Sequence, residues 1–118
     1  MKIIGHRGAR NEAPENTIQG FIHAQQNGCQ HFELDIQLSA DKELIVYHDK
    51  SLLRTSGENL KLNQQNYAFL SRIDSRLNTP GWHSACYISR LEDIYLAVPD
   101  TISWQFEVKT DRRDILSI

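Results

Sequence analysis

Eight residues, His31 to Leu38, alternate between polar and apolar side chains without a break. Successive side chains on a strand point to opposite faces, so Phe32, Leu34, Ile36 and Leu38 share one face, and His31, Glu33, Asp35 and Gln37 share the other. Such a strand needs an apolar partner on one side and a reason to carry two carboxylates on the other. No other stretch restricts the fold as sharply.

The flanking sequence supplies the partners. Lys2-Ile3-Ile4 predicts a short buried strand that stops at Gly5, followed by a polar loop to Glu15 containing Gly8 and Pro14. Asn16 or Thr17 can cap a helix running to about Asn27, with Ile18, Phe21 and Ile22 on one face and Gly28 at the left-handed C-terminal position. Beyond Leu38, Ser39 to Lys42 reads as a turn and Glu43 to His48 as a returning strand. Antiparallel pairing would bring His48 near the level of Glu33.

Further along, Ser51 to Lys61 reads as loop, and Leu62 to Leu70 as a short helix started by Asn63. Asp74 to Tyr87 has no clear period. Ser89 and Glu92 form an S-x-x-E capping box for a helix carrying Leu91, Ile94, Tyr95 and Val98 and ended by Pro99. Thr101 to Lys109 is a further strand, with Gln105, Glu107 and Lys109 on one face and Phe106 and Val108 on the other. Asp111 to Ile118 resembles the opening of another helix.

Strand, helix, strand-hairpin, helix, strand is the order of a parallel α/β fold, in which helices cover the apolar face of the sheet. The polar faces holding Glu33, Asp35, Glu107 and Lys109 must then point elsewhere. In a barrel they point inward, near the carboxyl ends of the strands, where sites are built.

Two carboxylates two residues apart on a strand project to one side, where their repulsion would force a proton onto one of them unless a cation intervenes. Glu33, Asp35 and Glu107 are therefore candidate ligands of a divalent cation, and an all-carboxylate set suits Mg²⁺ or Ca²⁺ better than Zn²⁺. Solvent-facing acids on a half-exposed strand are the plainer alternative. His6 and His48 each end a predicted strand and can serve as an acid and a base near neutral pH. Arg7 and Lys109 can contact a phosphate, or can be ordinary surface cations. Gly5 and Gly8 would let backbone pass close to a ligand. His23, His31 and His83 read as surface or packing residues.

Taken in order, His6-Arg7-Gly8, Ala13-Pro14-Glu15-Asn16-Thr17, Glu33-Leu34-Asp35-Ile36-Gln37-Leu38, His48-Asp49 with Arg54-Thr55, the Leu91-Glu92-Asp93-Ile94 helix and the Phe106-Glu107-Val108-Lys109 strand resemble the glycerophosphodiester phosphodiesterase family. The resemblance implies a TIM (β/α)₈ barrel that hydrolyses glycerophosphodiesters, such as deacylated phospholipids, to sn-glycerol 3-phosphate and an alcohol. It implies Glu33, Asp35 and Glu107 as metal ligands, His6 and His48 as general acid and base, and Arg7 and Lys109 as phosphate contacts. The departures are Ala9-Arg10-Asn11-Glu12 after H-R-G, Ser89-Arg90 before the Leu91 helix, and Glu43 after Asp41-Lys42 in the hairpin turn.

A closed barrel of this kind takes roughly 250 residues, so 118 residues read as the N-terminal part of one partial catalytic domain, truncated after about three barrel strands. Three readings follow: part of an active enzyme, an inactive remnant of one, or a metal- and phosphate-binding module without turnover. The net charge of −2 offers no general attraction for nucleic acid or anionic membranes. No apolar run approaches membrane-spanning length, and the N-terminus enters a polar motif too early for a signal peptide. Cys29 and Cys86 read as free thiols of a reducing, cytoplasmic compartment. The expected partner is a small glycerophosphodiester; the oligomeric state is left open.

Overall fold

The computed structural model describes residues 4–8, 12–98 and 102–109. The chain runs β1 (Ile4–His6), α1 (Ile18–Gln26), β2 (His31–Leu38), β3 (Leu44–Val46), α2 (Leu53–Ser56), a 3₁₀ turn (Leu62–Gln64), α3 (Tyr67–Leu70), α4 (Leu91–Ala97) and β4 (Ser103–Val108). The anticipated strand residues before Ile4 and the helix expected at 111–118 lie outside the described residues.

β2 organises the sheet because both of its edges are used. β4 lies parallel along one edge, from His31↔Ser103 to Ile36↔Val108. The other edge is shared: parallel β1 takes the first half, Ile4↔His31 to His6↔Glu33, and antiparallel β3 takes the second, Ile36↔Val46 to Leu38↔Leu44. Among the described residues the sheet does not close on itself, and β1, β3 and β4 are its outer members, each paired with β2. Ile4 and Phe106, on those outer strands, stand exposed. This is an open, partial α/β barrel wall of the expected class, with the apolar and polar faces of β2 divided as its alternation requires.

Phe32, Leu34 and Ile36 face α1 and α4 and form the main core with Phe21, Ile94 and Val98. Phe21 meets Phe32 and Trp104 edge to face at 5.3 and 5.2 Å, a geometry that favours aromatic quadrupoles. A second core of Ile45, Tyr47, Leu52, Leu62, Leu70 and Ile88 lies under the segment between β3 and α4. From Leu34 onward β2 is buried on both faces, polar residues included.

Helix α1 begins as its sequence dictates. The Thr17 hydroxyl accepts from the Gly20 N–H at 3.0 Å and donates to the Pro14 carbonyl at 2.7 Å. Asn27 is the C-terminal cap, and Gly28 follows with φ 92°. Cys29 and Cys86 are free and buried.

Several local expectations are corrected. The returning strand is only Leu44–Val46; beyond it the Tyr47 and Asp49 carbonyls accept from the Gln37 side chain. Ser51 to Lys61 is not all loop: Leu53–Ser56 makes a helical turn closed by Gly57 at φ 76°. Leu62 to Leu70 is two short pieces rather than one helix, since Gln65 and Asn66 are extended. The start of α4 is held by Asp93 rather than by Ser89 and Glu92; its carboxylate accepts from the Arg90 N–H at 3.1 Å and pairs with the Arg90 guanidinium. Gly5 lies against protein, not open space: a Cβ there would stand 2.5 Å from the Gly8 carbonyl oxygen and 2.5 Å from Phe32. No helix among the described residues is long and apolar enough to cross a membrane.

Candidate active site

The register of three parallel strands assembles the polar face. His6 is the lateral neighbour of Glu33, and Glu107 that of Asp35, across strands spaced roughly 4.8 Å apart. Ligand oxygens of Glu33, Asp35 and Glu107 accordingly lie within 4.8 Å of one another. Asp35 is fully enclosed, Glu33 half-buried and Glu107 exposed at the rim.

Two of the three carboxylates also carry an oxygen without a hydrogen bond. Glu33 Oε1 and Asp35 Oδ1 are buried without a hydrogen-bond partner, a costly state for a carboxylate. Oxygens across a Ca²⁺ stand about 4.6–5.2 Å apart, and across Mg²⁺ about 4.2 Å, from bond lengths near 2.3–2.6 and 2.0–2.1 Å. The cluster therefore fits one hard cation, and its unbonded oxygens are what such an ion would satisfy.

The nearest resident positive groups partly fill that role. Lys109 Nζ donates to Glu107 Oε1 at 2.8 Å and stands 3.8 Å from Asp35 Oδ1. Lys109 holds the Glu107 carboxyl below its ordinary range, with the charges of His48 and Arg7 acting in the same direction from farther away. Arg7 is buried: its Nε lies 3.3 Å from Asp35 Oδ2, and its NH1 donates to Glu15 Oε2 at 3.2 Å. The chain gets it there by leaving β1 through two positive-φ residues, Arg7 at 52° and Gly8 at 83°.

Both candidate imidazoles are tied through Nδ1. His6 Nδ1 contacts Glu33 Oε2 at 2.9 Å and His48 Nδ1 contacts Asp49 Oδ1 at 2.6 Å. Arg54 binds the same Asp49 carboxylate at 2.8 and 3.0 Å, which chiefly lowers its pKa to about 2, with His48 contributing further. Arg54 also grips Glu15 through two bonds of 2.8 Å. A continuous run of alternating charges thus joins Asp35 to His48 by way of Arg7, Glu15, Arg54 and Asp49.

Sequence reasoning gave Glu15, Gln37 and Arg54 no role in the site and Asn16 only that of a possible helix cap, yet all four build this region. The Asn16 amide donates to Asp35 Oδ2 at 2.9 Å, and Asn16 sits at φ 56°, where asparagine is more at home than most residues. Gln37 donates to the Tyr47 and Asp49 carbonyls, both at 2.9 Å, and so pins the backbone on either side of His48. The available signals were the Pro14-Glu15-Asn16 turn chemistry and the polar place of Gln37 on the face of β2. His23, His31 and His83 stay outside this group; His23 pairs with Glu12 at 3.2 Å and stacks edge-on against Trp82.

Comparison with known proteins is consistent with this geometry. Residues 6–115 match the model of the glycerophosphoryl diester phosphodiesterase family. A glycerophosphodiester phosphodiesterase of Bacillus altitudinis is 33% identical over 108 residues, covering 92% of this chain and 44% of its own length. The glycerophosphodiester phosphodiesterase structure from Agrobacterium tumefaciens superposes with a TM-score of 0.87 at 27% identity, over 99% of this chain and 51% of that one. The fold is shared as well by an Oleispira antarctica phosphodiesterase solved with its product sn-glycerol-3-phosphate, with a TM-score of 0.89, 24% identity, and coverage of 99% and 49%. The chain spans about half the length of each of these three relatives.

Proposed function

This chain belongs to the glycerophosphoryl diester phosphodiesterase family, and we propose that its polar face serves hydrolysis of glycerophosphodiesters to sn-glycerol 3-phosphate and an alcohol. The observation that carries the reading is the convergence of Glu33, Asp35 and Glu107, one oxygen of each within 4.8 Å of the others, at residues of which Glu33 and Asp35 each also hold a buried oxygen without a hydrogen bond. His6 touches Glu33 through Nδ1, and His48 is tied to the same region through Asp49, Arg54, Glu15 and Arg7, which supports reading the two imidazoles as its acid and base.

Glu33, Asp35 and Glu107 would hold the divalent cation, Mg²⁺ or Ca²⁺. Such an ion supplies Lewis-acid stabilisation of phosphoryl oxygens and lowers the cost of charge on an attacking oxygen. The remaining work falls to the protein's own groups. A carboxylate on each Nδ1 makes that nitrogen the donor and leaves Nε2 of His6 and of His48 for proton transfer. One imidazole takes the proton of the glycerol hydroxyl beside the phosphodiester as its oxygen bonds to phosphorus. The other protonates the departing alcohol as the phosphorus–oxygen bond breaks. Water then opens the resulting cyclic phosphate, with the two imidazoles exchanging roles. Lys109 and Arg7, which border the same carboxylates, would supply positive charge toward the phosphate. The product held by the Oleispira antarctica phosphodiesterase fits this substrate class.

The test is release of sn-glycerol 3-phosphate from glycerophosphocholine with Ca²⁺ or Mg²⁺, alongside thermal unfolding with and without each ion. Turnover that disappears in His6→Ala and in His48→Ala supports the proposal. Cation stabilisation that is lost in Glu33→Gln, with no turnover by the unaltered chain, would favour a binding module instead. No cation effect and no turnover would overturn both.

A further inference from the structure

We propose that Arg54 is a positioning residue for His48: it clamps the Asp49 carboxylate against His48 Nδ1 and thereby fixes the tautomer whose Nε2 is free. The inference rests on the acid–base reading of His48 given above and extends it to a residue outside the reacting groups.

The geometry of Arg54 points to a clamp rather than a chance surface pair. Its Nε and NH2 hold Asp49 at 2.8 and 3.0 Å, while NH1 and NH2 hold Glu15 at 2.8 and 2.8 Å. Both contacts are forked, and only a planar guanidinium can make two such pairs at once. Glu15 is almost wholly enclosed and is itself bound by buried Arg7, so the anchor of the clamp does not drift with solvent.

The turn carrying Arg54 is fixed from below. Thr55 is buried, and its hydroxyl bonds to the Tyr47 hydroxyl and accepts from Ser75 Oγ at 3.1 Å. Tyr47 immediately precedes His48. Gln37 holds the carbonyls of Tyr47 and Asp49. Backbone and side chain of the His48-Asp49 pair are therefore both immobilised, each from a different element.

The chemical consequence lies in the tautomer. An ionised carboxylate only accepts hydrogen bonds, so His48 Nδ1 must carry the hydrogen in the 2.6 Å contact. In water a neutral imidazole is free to place its hydrogen on either nitrogen; a fixed acceptor at Nδ1 removes that freedom and orients the ring. Without Arg54, the Asp49 carboxylate has solvent within reach and no reason to remain on His48.

The decisive measurement is the ¹⁵N spectrum of the His48 ring in the neutral state. In the unaltered chain the hydrogen is expected on Nδ1. Arg54→Gln should move a large part of the population to Nε2–H while the His6 ring, tied to Glu33, keeps its signals. Arg54→Lys keeps the charge but loses the fork, and should move the His48 signals the same way by a smaller amount; it remains readable if the glutamine variant does not fold. In an active preparation kcat should fall roughly tenfold or more with KM little changed. A folded Arg54→Gln or Arg54→Lys protein with unchanged His48 ring signals overturns the proposal, whatever its activity. A shifted tautomer in a chain without turnover would uphold the clamp and reject the acid–base reading.

Discussion

Replacing Glu15 by glutamine removes a negative charge from an almost closed part of the site while keeping the side chain's volume. Glu15 is 4% exposed and neutralises parts of two guanidiniums, Arg7 at 3.2 Å and Arg54 at 2.8 Å. Removing one partner of a buried ion pair costs about 3–5 kcal/mol, because the surviving charge stays out of water. Glutamine keeps one oxygen that can accept a hydrogen bond, worth about 1 kcal/mol, and Arg54 can turn partly to solvent. The expected loss is therefore about 2–4 kcal/mol, a large part of the roughly 5–15 kcal/mol that holds a domain together. With a urea dependence of about 2 kcal/mol per molar, the middle of the usual range, the unfolding midpoint should fall by roughly 1–2 M at unchanged slope. Trp104 fluorescence can follow the transition, since its ring packs against Phe21 and Phe32. Because Arg7 and Glu15 are enclosed, the difference should persist when salt is raised severalfold above 0.1 M, where the screening length is about 10 Å. A midpoint shift below about 0.3 M, or one that salt abolishes, would refute the view that this run of charges behaves as buried.

Three other outcomes follow from the same structure. Thr17→Ala should cost about 2 kcal/mol, from the lost cap and the stranded Pro14 carbonyl, and lower the melting temperature by roughly 8 °C, whereas Thr17→Ser should restore most of it. Gly5→Ala should cost about 3 kcal/mol in urea unfolding, since its Cβ would meet the Gly8 carbonyl and the Phe32 ring; a neutral result would mean the Arg7–Gly8 turn shifts freely. Asp49 has a folded pKa of about 2 against an ordinary 3.8, so the unfolded chain binds the proton more readily. Its contribution is complete above about pH 4 and fades as pH falls through about 2, and solvent screening holds it to about 1 kcal/mol. The stability gap between the unaltered chain and Asp49→Asn should accordingly shrink between pH 5 and pH 2.

The fold was readable where one residue pattern met one physical requirement. Alternation in His31 to Leu38 divides that strand into helix-facing and site-facing sides, and Thr17 and Gly28 bracket α1 because each satisfies backbone groups that a helix end exposes. The segment from Ser51 to Leu70 was not readable in the same way. Its short turns are stabilised by a local core around Leu52, Leu62 and Leu70, and contacts far apart in sequence override weak local preference. The misplaced cap at α4 has a similar cause: the Ser89 hydroxyl donates to the Tyr87 carbonyl instead, and the Asp93 carboxylate, which also reaches the Arg90 guanidinium, accepts from the Arg90 N–H.

The site divides along the same line. Strand period alone was enough to bring Glu33, Asp35 and Glu107 to one face, because in-register parallel pairing leaves them no other arrangement. The partners of the charged groups depend instead on loops. A sequence cannot announce that Arg7 will turn inward at φ 52° to meet Glu15, or that Arg54, thirty-nine residues beyond Glu15, will meet it from the other side. Yet enclosure gives those loops a definite result. A buried guanidinium needs a carboxylate, and a buried carboxylate shared by two guanidiniums can hold both, so each ion in the run from Asp35 to Asp49 restricts the next. The Asp35 carboxylate and the His48 imidazole are thereby kept in one frame, with Glu15 and Arg54 as the links between Arg7 and Asp49.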